Sequence, residues 1–299
     1  MKSLLRRIAT LIALSALICL TKTYAADRLT IKLVGFATPE SVEYYAAKDV
    51  YLVGNINGSP LEKDGNGFIS QISPSGDLLD LKWIDGAKPG TRLNAPKGLA
   101  INDGILYVAD LDEVHMFELP NGRQLKSVQI AGSTFLNGIT PNPAGGVFVT
   151  DSGLKAGEAG FVPSGTDAIY EVTANGKYRA VFKHPDMGRP NGIIYDDGLK
   201  MVVTFGTGSV SGYDNMGNKR AYPSPPKGSL DGLLKMPDGS YLISSWEGSA
   251  IYRLDTNGSY HVLADNLESP ADLGFDSKRN RILVPLFLKN EVRVLPYTQ

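Results

Sequence analysis

The stretch Lys97-Gly98-Leu99-Ala100-Ile101-Asn102-Asp103-Gly104-Ile105-Leu106-Tyr107-Val108-Ala109-Asp110 decides the fold. It reads as a short strand, a tight turn at Asn-Asp-Gly, and a second strand rich in buried-type residues. The same phrase returns along the chain. Asn137-Gly138-Ile139 precedes Val147-Phe148-Val149-Thr150-Asp151, and Asn191-Gly192-Ile193 runs into the turn Asp197-Gly198. Asp231-Gly232-Leu233 leads to Pro237-Asp238-Gly239. The first copy is Pro39-Glu40-Ser41-Val42, before a strand at 50–53, and the last, degenerate one is Pro270-Ala271-Asp272-Leu273, before residues 282–285.

The aligned leading positions are Glu40, Lys97, Asn137, Asn191, Asp231 and Ala271, spaced 57, 40, 54, 40 and 40 residues apart. A period near 40 with several short strands per unit is the signature of a β-propeller, and six units use up the chain. The two long intervals hold insertions, among them the Gly-rich stretch 152–166. Residues 168–172 and 250–254 read as third strands, each leading through Asn175-Gly176 or Asn257-Gly258 toward a fourth. That dipeptide is favoured in two-residue hairpins. The last unit ends after residues 291–295 with no fourth strand. The alternating segment 28–34 at the other end of the chain is expected to pair there and close the ring. The expected fold is all-β: a single six-bladed propeller of four-stranded blades over residues 26–299.

Residues 1–25 read as a secretory signal. Lys2, Arg6 and Arg7 form a basic head, residues 8–20 an apolar middle, and Thr23-Tyr24-Ala25 a small-residue exit. Thirteen apolar residues are too few to span a bilayer. Cleavage after Ala25 leaves 26 basic against 31 acidic residues, a net charge of −5, which argues against a nucleic-acid partner. The only cysteine, Cys19, leaves with the signal, so thiol chemistry and thiolate metal sites are excluded from a periplasmic or secreted mature protein.

In a propeller the first strand of each blade lines the central channel, so Glu40, Asn137, Asn191 and Asp231 converge from four blades. Two carboxylates and two amide carbonyls make an all-oxygen set of net charge −2, suited to a hard divalent cation, Ca2+ first. Asn-Gly and Asp-Gly are also ordinary turn dipeptides, and turns fully explain Asn57, Asn121, Asn175 and Asn257. Register separates the four candidates, because each opens an innermost strand. Lys97 either adds positive charge to the same channel mouth or snorkels at the surface. Asp110, Asp151, Asp272 and Trp246 lie near strand ends and read as structural or rim residues. His115, His184 and His261 fall in outer strands and carry no chemistry.

The six-unit pattern with its acid, two asparagines and aspartate resembles the senescence marker protein, gluconolactonase and luciferin-regenerating enzyme family. The resemblance extends from the first unit to the last. It implies a divalent-cation-dependent hydrolase of lactones and related esters, with Glu40, Asn191 and Asp231 as metal residues and Asn137 on metal or substrate. In that reading Asp231 or a nearby carboxylate is the general base and Lys97 assists. Two places depart from the pattern. Gly138 stands where the family usually has aspartate, and Ser41-Val42 follows Glu40 where glycine and tryptophan usually stand. The other reading is a non-enzymatic propeller, with a structural cation and a ligand or protein bound on one face. Condensation chemistry of the strictosidine-synthase kind is a third, which the intact oxygen ring disfavours. Specificity is expected from the loops at 54–66 and 152–166.

Overall fold

The computed structural model describes residues 28–158 and 160–298. The signal read over 1–25, with Cys19, lies outside these residues. Among the described residues no helix is long and apolar enough to cross a membrane.

Six four-stranded antiparallel sheets form the blades of a propeller. Blade one comprises Pro39–Tyr45, Val50–Asn55, Phe68–Ile72 and Leu78–Asp85, numbered outward from the axis. Blade two runs from Pro96–Asn102 to Arg123–Gln129, and blade three from Leu136–Pro141 to Tyr178–Lys183. Blade four runs from Pro190–Asp196 to Lys219–Tyr222, and blade five from Leu230–Lys235 to Tyr260–Ala264. Blade six has only Gly274–Asp276, Arg281–Leu286 and Glu291–Pro296 from the end of the chain. Its outermost strand is Leu29–Ile31, paired antiparallel with Val294 to Val292. The segment expected to close the ring does so, and it covers an edge that would otherwise be open.

The sequence of each second strand follows from its position between two neighbouring blades. In blade one, Tyr51 and Val53 face the seam with blade six, while Val50 and Leu52 face the seam with blade two. Both faces are therefore apolar, and alternation disappears from the middle of each blade. Six such clusters, one per seam, make up most of the core among the described residues, and a small seventh gathers Ile56, Ala95 and Leu111. At the closing seam the Arg279 guanidinium grips Asp49 with two hydrogen bonds of 2.7 Å.

The turns divide differently from the expectation. Asn175 and Asn257 are not left-handed; only the glycines after them are, at φ +83° for Gly176 and +86° for Gly258. Gly176 N–H bonds to Thr173 O at 2.8 Å and Thr173 N–H to Lys177 O at 2.8 Å, so the loop has three residues rather than two. The two-residue turn occurs instead at Asp103-Gly104 and Asp197-Gly198, where both residues have positive φ.

Candidate functional site

The six leading positions form a ring at the floor of a central cavity. Each first strand of blades one to five breaks register just past this position, at Pro39/Ser41, Pro96/Leu99, Leu136/Ile139, Pro190/Ile193 and Leu230/Leu233. A bulge of this kind re-aims a side chain out of the regular pleat. Glu40, Lys97, Asn137, Asn191 and Asp231 all line the same cavity, of about 520 Å3, and all are buried. Ala271, the sixth position, contributes no polar group.

The next residue in each blade explains the glycines. A Cβ on Gly98 would lie 2.6 Å from Asn137 O, and one on Gly232 would lie 2.8 Å from Ala271 O. On Gly138 it would overlap Asn191 O, and on Gly192 it would overlap Asp231 O. Blade one uses a donor instead: Ser41 Oγ bonds to Lys97 O at 2.5 Å. Blade six closes the circle with Asp272 N–H on Glu40 O at 2.9 Å. The carbonyl of each floor residue is thus closely approached by the preceding blade. At Gly138 no side chain fits in this backbone.

Glu40 Oε2 and Asp231 Oδ1 are buried and accept no hydrogen bond from any described residue. Asn137 Nδ2 donates to Ser152 Oγ at 3.2 Å, which leaves the Asn137 carbonyl oxygen as the free acceptor. Burial pushes the Glu40 and Asp231 carboxyls well above the usual range; Asp231 and Asp272 add repulsion at Glu40, and Asp272 does so at Asp231. Trp246 Nε1 makes no hydrogen bond of full geometry with a described residue, but its N–H faces Asp231 as a weak donor and lowers that carboxyl's pKa as the smallest contribution.

Lys97 is 1 % exposed, so it does not snorkel. Its Nζ donates to Ala95 O at 3.1 Å and stands 4.2 Å from the centre of the Phe135 ring. Burial lowers its pKa to about 8, opposed by Asp110, Glu40 and Asp151.

Above the floor is a second ring, formed by the residue that follows each second strand: Ile56, Leu111, Ser152, Phe205, Trp246 and Phe287. The backbone N–H groups of Ile56, Phe205, Trp246 and Phe287 bond to Thr38, Arg189, Ser229 and Ser269 O at 3.0–3.1 Å. Trp246 packs between Phe205 and Phe287, with ring centres 5.5 and 5.1 Å away. The two loops named for specificity reach the cavity as Ile56 and Pro60 and as Ser152, Leu154 and Phe161. The second of them is folded as a hairpin, Leu154–Gly157 against Gly160–Pro163. Phe135, Arg189, Phe205, Phe287 and Leu288 also line the wall and carried no functional reading in the sequence. The sequence signal for Phe205 and Phe287 is their constant place one residue past the second strand.

The remaining polar candidates are outside the cavity or structural. Asp110 accepts the N–H groups of Asn94 and Ala95 at 2.6 and 2.8 Å, and Asp151 those of Thr134 and Phe135 at 3.2 and 2.9 Å. His115 bonds Asp110 Oδ2 at 3.1 Å, and His261 pairs with Asp255 at 3.0 Å. Among the described residues no group of three or more His, Cys, Asp or Glu is placed to hold a metal ion. The floor offers two carboxylates and two amides, so any cation there depends on the asparagines.

No protein-family model matches the chain, and no curated protein does. Solved structures do. A gluconolactonase from Xanthomonas campestris is 17 % identical over 92 % of this chain and 93 % of its own, with a TM-score of 0.69. Virginiamycin B lyase from Staphylococcus aureus is 15 % identical over 91 % of this chain and 99 % of its own, with a TM-score of 0.61. A streptogramin B lyase is 13 % identical over 91 % and 98 %, with a TM-score of 0.62. These are six-bladed propellers like this chain. The likeness to gluconolactonase implied by Glu40, Asn137, Asn191 and Asp231 therefore reappears in the backbone, at the level of the fold.

Proposed function

We propose that the central cavity is the active site of an exported, divalent-cation-dependent hydrolase of a lactone or small ester. One observation carries the reading: Glu40 Oε2 and Asp231 Oδ1 are buried carboxylate oxygens without a hydrogen bond of full geometry from any described residue, at the floor of a cavity otherwise walled largely with hydrocarbon. A buried acceptor left bare costs about 1–3 kcal/mol, more when charged, so a pair of them in one place calls for a partner. Hard all-oxygen donors fit Ca2+ or another divalent cation, held by Glu40, Asn137, Asn191 and Asp231. When bound, it would supply Lewis-acid polarisation of the scissile carbonyl.

The chain's own groups do the rest. Lys97, anchored on Ala95 O and the Phe135 ring, keeps a positive charge near the negative charge that develops on the carbonyl oxygen. Asp231, made more basic by burial, takes a proton from water. The water oxygen adds to the carbonyl carbon, the ring C–O bond breaks, and the proton passes to the leaving alkoxide. Lactone and water become a hydroxy acid. The aromatic wall excludes bulk water from the floor, which strengthens each of these electrostatic effects.

Calorimetric titration of Ca2+ into the wild type, Glu40→Gln and Asp231→Asn tests the site, with phenyl acetate and γ-butyrolactone turnover measured beside it. Binding is expected in the wild type and lost in both variants, with turnover following binding. A wild type that takes up no divalent cation would sink the mechanism, leaving a propeller that binds an apolar ligand without converting it.

A further inference from the structure

The cavity wall and one residue on it identify the substrate more closely. Ile56, Phe161, Phe205, Trp246 and Phe287 offer rings and methyl groups and no array of hydroxyl or amide groups. A polyhydroxylated sugar lactone would bury its hydroxyls against this wall without partners, at about 1–3 kcal/mol each. A hydrocarbon or aryl body gains on entering instead, about 25 cal/mol for each Å2 removed from water.

Arg189 is the exception on that wall. Its guanidinium makes no ion pair or side-chain hydrogen bond with any described residue, although Asp167 lies beside its backbone and accepts its N–H at 2.8 Å. Arg189 also occupies a costly conformation. The residue two before the floor position is left-handed in four blades: Thr38 at φ 54°, Arg189 at 61°, Ser229 at 50° and Ser269 at 52°. Three blades place a short hydroxyl residue there. Blade four places a long cation in a region that non-glycine residues seldom occupy, pinned by Asp167 on one side and by Phe205 N–H at 3.0 Å on the other. Its aliphatic stem lies against Gly206, where a Cβ would meet Arg189 Cδ at 3.0 Å. The backbone fixes where the side chain starts, and the cavity is where it lies.

We infer that the substrate is an apolar lactone or ester carrying a carboxylate, its hydrocarbon body held by the aromatic wall and its carboxylate paired with Arg189. The inference rests on the hydrolase reading of the cavity. Position sets the orientation. Glu40 and Asp231 at the floor are taken up by the cation of the hydrolase reading, and Arg189 on the wall is the cation without a partner among the described residues, so a carboxylate held there leaves the scissile carbonyl toward the floor. A guanidinium suits this task because its planar fork donates two parallel hydrogen bonds to a carboxylate.

The test uses 4-phenylbutanoate and its uncharged amide, which differ only in the charged group, titrated calorimetrically into the full mature protein. EDTA is present so that no floor cation serves as the anion's partner. The carboxylate is expected to bind about tenfold more tightly than the amide at low salt, with the preference shrinking as ionic strength rises. Arg189→Met should erase the preference and Arg189→Lys should keep part of it. Equal binding of the two compounds by the wild type overturns the proposal and needs no variant. A preference that persists in Arg189→Met overturns it as well, and so does gluconate binding more tightly than 4-phenylbutanoate. Phenyl acetate turnover by the same protein, freed of EDTA and supplied with Ca2+, separates the two readings. Turnover without carboxylate preference removes only the Arg189 assignment. Arg189-dependent binding without turnover removes the hydrolase and keeps the pocket chemistry.

Discussion

The floor and the wall of the cavity are both rings with one residue per blade, yet they are built on opposite principles. The floor residues Glu40, Lys97, Asn137, Asn191 and Asp231 are polar and buried, with their carbonyls closely approached by the preceding blade. The wall residues Ile56, Phe205, Trp246 and Phe287 are mostly apolar, each tied by a backbone N–H to a neighbouring loop carbonyl, and the three aromatics among them are packed ring on ring. Rigid polar groups at the bottom suit chemistry, and adaptable hydrocarbon above suits selection among substrates. Mutations in the two rings should therefore separate: floor changes strike stability, cation binding and rate, while wall changes strike affinity for the substrate.

The largest effect is expected from Gly192→Ala. The added methyl would overlap Asp231 O, so the inner strands of blades four and five must move apart. Overpacking of this kind costs about 1–3 kcal/mol. Thermal unfolding should fall accordingly, and Ca2+ binding should weaken with it because Asp231 shifts. An unchanged melting temperature would mean that the ring is looser than its glycines imply. Next comes Lys97→Met, which separates stability from function. Burial depresses the Lys97 pKa to about 8, so at neutral pH the fold carries a buried charge that it would rather release. Its removal should raise stability by on the order of 1–3 kcal/mol. Loss of one oxyanion-stabilising group should lower kcat by about 10²-fold. A variant that keeps its rate would assign Lys97 a purely structural part.

The same contrast explains how much was legible in the sequence. The floor position is followed by a residue with no room for a side chain in four blades, so Gly98, Gly138, Gly192 and Gly232 mark the register and reveal Lys97, Asn137, Asn191 and Asp231, while Glu40 is placed by its Pro39-Glu40 opening before the strand at 50–53. The closing strand was legible because residues 29–31 alternate and the last blade lacks a partner. No comparable constraint accompanies the wall. Any residue but proline supplies the N–H that Thr38 or Ser269 O accepts, so only their place one residue past the second strand marks Phe205 and Phe287. Arg189 was invisible for a different reason: left-handed geometry before Pro190 leaves no trace when the residue is not glycine. The burial of Lys97 depends on the Phe135 ring from the next blade, a contact that sequence order does not encode.

Phe205→Ala and Phe287→Ala probe the wall alone. Each strips one side of Trp246 of its ring contact and widens the cavity without touching a floor carbonyl. Aryl ester hydrolysis should lose about tenfold in kcat/KM through KM, the scale of a lost aromatic contact with its buried area. Ca2+ affinity should stay as in the wild type. Equal loss of cation binding would break the division between the rings.

The smallest effect concerns Glu43, three residues beyond Glu40 on the same strand, where the floor's logic is repeated without its compensation. Burial raises its pKa from 4.5 to about 8, with Asp272 of blade six adding repulsion. The sign follows from linkage. The folded state holds the proton more tightly than the unfolded chain, so the stability this group contributes is complete below pH 4.5 and drains away as pH rises to about 8. Glu43→Gln removes the titration and keeps the shape. Its melting temperature should match the wild type near pH 5 and exceed it by a few degrees near pH 9. Glu43 is only half-buried, so parallel curves across that range would mean that its remaining contact with water holds the carboxyl near its ordinary value.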